Sequence, residues 1–173
     1  MKSNTKDILT AMQVLAWVVF IGLLIKAGAM FISYGISIGN DLASKDLYNG
    51  LDLFALRNQS FWHYSVITAY NILLIGTQAY VAYLLTQLLN KINILKPFSD
   101  EVVKGLQKIS YAILFIWIVA MVHNFHLAFI EKRFALLSHN ISVEFIFMAG
   151  VVYVLAQLFK RGVEIQSENE LTI

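Results

Sequence analysis

The sequence predicts an all-α integral membrane protein, a four-helix transmembrane bundle with both ends on the cytoplasmic side. Three observations predict it. The chain is 58% hydrophobic and only 14% charged, whereas soluble domains are about half apolar and about a quarter charged. The apolar residues gather in four blocks, at 12–38, 61–89, 109–130 and 141–159. Each block is long enough to cross roughly 30 Å of hydrocarbon, which takes about 20 helical residues. Lysine and arginine divide unevenly among the connections, and that bias orients the spans.

Composition also sets exclusions. Four spans in 173 residues leave no length for a separate soluble core, so a single domain is expected. The chain has no cysteine, which removes disulfides and thiol chemistry. A net charge of +2 gives no electrostatic basis for direct nucleic-acid binding.

The first block follows a basic start at Met1–Lys6 and runs to about Ile38. A signal-peptide core is only about 7–15 residues long, so an uncleaved first span is expected. Lys26 lies near its middle. A lysine at the bilayer centre costs about 2.5–3.5 kcal/mol on insertion scales, so it should face protein, water or an acid. Gly35 and Gly39 form a G-x-x-x-G at the span's end, where a simple helix terminus is the expected reading. Residues 39–60 form a polar connection. Within it Leu47, Leu51 and Phe54 have the spacing of a short surface helix, and an ordinary loop fits equally well.

Trp62 and Tyr64 open the second span in the manner of an aromatic belt. Tyr64, Asn71 and Gln78 share one helical stripe, and His63, Tyr70 and Thr77 share the next. A polar face of this kind must turn away from lipid, which offers no hydrogen-bond partner. It is expected to join helices rather than to line a transport path. In the basic turn at 90–99, Pro97 stops the helix before it by disfavouring the helical region for Lys96. Ser99 is a suitable N-cap, and Asp100 and Glu101 fall on the positive end of the next helix dipole. That helix is expected to run to Ile130, about 46 Å at roughly 1.5 Å per residue, so its first two turns should project into the cytoplasm. After Glu131–Arg133 and His139, the fourth span holds Glu144 near its start. The basic stop Lys160–Arg161 and an acidic tail at 162–173 follow.

Lys2, Lys6, Lys91, Lys96, Lys104, Lys108, Lys160 and Arg161 fall on one side of these spans. Only Lys45, Arg57, Lys132 and Arg133 fall on the other. The richer side is cytoplasmic by the positive-inside rule.

On this topology His63, His123, His126 and His139 all lie toward the outer side. His123 and His126 share a helix face. With Glu144 they offer nitrogen and oxygen donors to a metal or haem, although no pair has the spacing of a helical zinc motif. Amphipathic rings at an interface without a ligand are the simpler expectation. Lys26 and Glu144 are the two intramembrane charges, and mutual pairing is expected because an isolated charge there is costly. No phosphate loop, nucleophile elbow, H-E-x-x-H or Walker motif is present, which points away from most hydrolases and nucleotide enzymes. No cofactor is implied.

Two stretches carry a resemblance. Pro97-Phe98-Ser99 leads into Asp100-Glu101-Val102-Val103-x-x-Leu106-x-x-Ile109, and the chain closes on Gly162-Val-Glu-Ile-Gln-Ser-Glu168-Asn-Glu170-Leu171-Thr172-Ile173. Together they resemble the domain-of-unknown-function 2975 family of small bacterial multi-pass membrane proteins. The resemblance implies the span plan and a place in the bacterial cytoplasmic membrane. It also implies a gene neighbour encoding a small helix-turn-helix regulator, and it supplies no catalytic residue or cofactor. Both motifs fall on the expected cytoplasmic face. The expectation is therefore a non-enzymatic membrane protein that holds such a regulator through Ser99, Glu101, Glu168, Glu170, Leu171 and Ile173. An acidic tail would compete there with DNA phosphates for a basic surface. The alternatives are a metal, haem or small-ligand binding or transport protein using Lys26, His123, His126 and Glu144, or an accessory subunit of a membrane complex. A homo-oligomer is compatible with either.

Overall fold

A computed structural model of the chain describes residues 2–93, 97–134, 141–142 and 144–170. Among them the protein is all α, with five α-helices and no strand. These are α1 (Lys2–Gly39), α2 (Phe54–Gln59), α3 (Phe61–Lys91), α4 (Asp100–Phe134) and α5 (Phe145–Glu170), with a 3-10 turn at Asp41–Lys45. By length and composition α1, α3, α4 and α5 can each cross a membrane. In their most apolar windows α3 and α4 bury 44% and 39% of their residues, against 6% for α1 and 11% for α5. The last two therefore present most of their apolar surface outward, including Ile25 and Phe31 on α1 and Phe147 and Leu158 on α5. Such a surface suits hydrocarbon rather than water.

The helix ends follow local chemistry. α1 stops at Gly39, as the terminus reading of the two glycines expects. Asn40 then accepts from the Leu42 amide at 3.1 Å and starts the 3-10 turn. At α4, the Ser99 hydroxyl accepts from the Val102 amide at 3.4 Å, and the Ser99 carbonyl accepts from Val103 at 3.1 Å. Asp100 and Glu101 occupy the first turn of α4, and Lys132 and Arg133 the last. Each sign of charge thus complements its end of the helix dipole. The helix runs one turn past Ile130.

The connection after α1 adopts the loop reading, not a surface helix over Leu47–Phe54. Asn49 and Gly50 have φ of 55° and 84°, a left-handed conformation that no right-handed helix admits. The Asp46 carboxylate holds the reversal by accepting from the Gly50 amide at 2.9 Å. Leu47 and Leu51 still meet, through a backbone bond of 3.0 Å from the Leu47 amide, and Leu47 is almost fully buried.

The last helix differs from expectation at both ends. It begins at Phe145 rather than 141, with Glu144 in the preceding turn. It continues through the basic pair to Glu170. The reason is legible: Arg161 donates to Glu164 at 2.8 Å across one turn, and Glu and Gln in the following turns are good helix formers.

The chain divides into two compact units. The first comprises the chain to Phe20, Ala79–Phe115 and the chain from Glu144. The second comprises Ile21–Gln78 and residues 116–143. The first unit is centred on Leu84, Leu88, Val102, Ile109, Ala112, Ile113 and Ala149. The second is centred on Leu47, Leu56, Tyr64, Ile67, Leu127 and Ile130.

Candidate functional site

In the first unit the two stretches singled out by the sequence lie against each other. Phe98 stacks on Phe159 of α5 with ring centroids 5.2 Å apart. Its ring also covers Gly162, where an added Cβ would come within 2.5 Å of Phe98 Cδ1. Glycine at 162 is thus what lets the Pro-Phe-Ser turn approach the helix backbone. Phe98 itself remains 40% exposed. On α4 and α5, Glu101 and Glu168 are exposed and Glu164 is half-buried and paired with Arg161 at 2.8 Å, while Lys104, Lys160 and Arg161 are exposed as well. Ser99 is half-buried with its hydroxyl engaged in capping, so its first role is to start α4. Glu170 is the last residue of α5, and Leu171 and Ile173 lie outside the described residues.

In the second unit the polar stripes of α3 meet the histidines of α4. All six stripe residues are buried or half-buried. Tyr64, fully buried, shares a hydrogen bond with the Ser37 hydroxyl of α1. His123 is buried. It takes a hydrogen bond from Asn71 Nδ2 at Nε2 (3.4 Å) and gives one from Nδ1 to Asn124 Oδ1 (3.3 Å), a set that requires the neutral Nδ1–H ring. Asn124 also brackets Ile141, donating to its carbonyl at 2.7 Å and accepting from its amide at 2.9 Å. His63 Nδ1 and His126 Nε2 are 2.9 Å apart. The ring of Tyr70 stands edge-on to both His123 and His126, at 6.0 and 6.1 Å. Gln78 is half-buried.

Sequence reasoning grouped His123 and His126 with Glu144. Among the described residues no three His, Asp or Glu side chains are placed to hold a metal ion. The two histidines turn to different partners, His123 to the asparagines and His126 to His63. Lys26 is half-buried in the second unit, with Nζ 5.8 Å from the ring centroid of Tyr48, within reach of a cation–π contact. Glu144 is exposed and belongs to the first unit. Their pairing stays an expectation. His139 lies outside the described residues.

Three residues escaped the sequence reading. Phe98 was seen only as part of a motif, although an aromatic after Pro and before an N-cap, with a glycine in a later helix, is a packing signal. Arg57 ties α2 to the end of α1 through the Ser37 carbonyl at 3.0 Å and the Ile38 carbonyl at 3.4 Å. Asn124 gave no periodic signal, because its partner is a backbone segment.

A family model described as a protein of unknown function, DUF2975, matches residues 43–173. The matched region holds α2 to α5, and so the Phe98 surface and all the described histidines. Neither a curated protein nor a solved structure matches the chain. With most of its length inside that model, including both stretches that carry the resemblance, the chain belongs to the DUF2975 family.

Proposed function

We propose that this protein is a non-enzymatic docking protein of the bacterial cytoplasmic membrane, with both ends inside, that holds a small basic helix-turn-helix transcription regulator. The observation that carries this reading is the seating of Phe98 on Phe159 and Gly162. It makes one surface of the Pro-Phe-Ser turn and the α5 extension. A half-exposed aromatic anchor on helices that also carry exposed acidic side chains has the make-up of a protein contact, in which a few buried aromatics dominate the binding energy. Glu101, Glu164 and Glu168 supply charge complementary to a DNA-binding surface, which steers association and sets specificity. The regulator would be held while its basic face is covered and released when DNA or a signal competes.

The test is affinity purification from native membranes, with the whole chain and with a chain ending at Val163, followed by mass spectrometry. A helix-turn-helix protein that co-purifies with the whole chain alone, and washes off as salt rises, is the expected result. The same proteins on both chains would overturn the reading.

A second reading rests on one separate observation, the convergence of His63 and His126 at 2.9 Å. It makes the second unit a small-ligand site.

A further inference from the structure

The second unit contains paired nitrogen donors that the docking surface does not use. We propose that His63 and His126 form the protein half of an exchangeable binding site for a divalent transition-metal ion such as Zn²⁺ or Cu²⁺. This inference stands apart from the docking reading and does not depend on it.

The geometry carries the inference. His63 sits in the first turn of α3 and His126 near the end of α4, and they aim Nδ1 and Nε2 at each other across 2.9 Å. An ion about 2.0–2.1 Å from each of two nitrogens, with ligand angles of about 90–110°, sets those nitrogens about 2.9–3.4 Å apart. In the hydrogen bond the two nitrogens point at each other, so seating an ion also requires each ring to swing by about 35–45°, until both lone pairs meet at the ion. Each of the two nitrogens offers an in-plane lone pair when the proton of its neutral ring sits on the other ring nitrogen, and imidazole suits Zn²⁺ and Cu²⁺. Aromatic rings border the pair: His63 packs edge-on to Phe134 at 5.7 Å and beside Phe129 at 6.0 Å, and His126 stands against Tyr70.

The chemistry of the site follows from what surrounds the pair. Both histidines are half-buried, and His63 lies in the first turn of α3, at the end of a candidate span. Among the described residues no third His, Asp or Glu completes a cage. An ion held by this pair keeps open positions for water or another ligand. That is the pattern of a site that exchanges its ion, not of a closed structural centre. Copper should bind more tightly than zinc, following the usual order of divalent stabilities.

The experiment uses the full chain, purified in detergent through a tag without histidines and stripped with a chelator. Zn²⁺ is titrated by calorimetry, and Co²⁺ is titrated by visible absorption. One saturable equivalent is expected, with Co²⁺ bands of nitrogen ligation. His63→Gln and His126→Gln should each weaken Zn²⁺ binding at least ten-fold. Glutamine can still hydrogen-bond to the remaining histidine, so the unfolding temperature without ion should hold in both variants. Unchanged Zn²⁺ affinity in both variants would overturn the proposal and leave a hydrogen-bonded pair only. Absence of Co²⁺ bands in the unmodified chain would overturn it as well, and that readout needs no variant to fold.

Discussion

In the first unit Leu84, Leu88, Val102 and Ile113 belong to one buried apolar cluster, and two close approaches depend on glycine. A Cβ on Gly105 would come within 2.8 Å of Leu88 Cδ1, and one on Gly162 within 2.5 Å of the Phe98 ring. In the second unit the apolar centre is laced with polar ties: Ser37 to Tyr64, Tyr34 to Ser65, Arg57 to the end of α1, Asn124 to Ile141 and His63 to His126. The difference teaches what each chemistry is good for. In an apolar medium burial adds little driving force between helices, so shape and close contact must hold them. A hydrogen bond there has no water to fall back on, so it fixes one partner and one register.

Breaking Asn124 should have the largest effect. Asn124→Leu removes the donor and the acceptor that satisfy Ile141, and losing both is expected to cost about 2–3 kcal/mol. Thermal unfolding in detergent micelles measures it. Leu88→Ala in the first unit should cost less, about 1–2 kcal/mol, because the cavity term remains while the transfer from water largely drops out. If Leu88→Ala proves the more damaging in the same assay, the contrast between the units is reversed. Tyr64→Phe deletes one buried phenol partner and should cost about 1 kcal/mol, read from the same curves. The smallest effect is expected at Ser110, whose hydroxyl donates to the Ala149 carbonyl at 3.0 Å. Ser110→Ala should cost about 0.6 kcal/mol, the average for an interhelical hydrogen bond in a membrane protein.

The sequence made the two units unequally legible. The four long apolar helices followed from apolar runs, and the start of α4 followed from Pro97, Ser99, Asp100 and Glu101, because those signals are local. The fate of the tail was not legible. A polar end usually frays, yet Arg161 and Glu164 pair within one turn and the helix continues. The α3 stripe was visible as a period of seven, but its partners on α4 were not. His63 and His126 are 63 residues apart, and no single-chain pattern says which histidine meets which. The loop at 46–53 misled in a specific way: its leucines have helical spacing, and only the positive φ at Asn49 and Gly50 rules the helix out.

The proposed docking surface depends on the contact between the Pro-Phe-Ser turn and α5, where Gly162 lies directly under the Phe98 ring. The most direct measurement is recovery of co-purifying protein from native membranes with Gly162→Leu and Phe98→Ala, beside the unaltered chain. Both variants should unfold at a somewhat lower temperature, still far above that of the assay, and lose the helix-turn-helix protein as fully as the chain ending at Val163 does. Full recovery on both variants would contradict the docking surface.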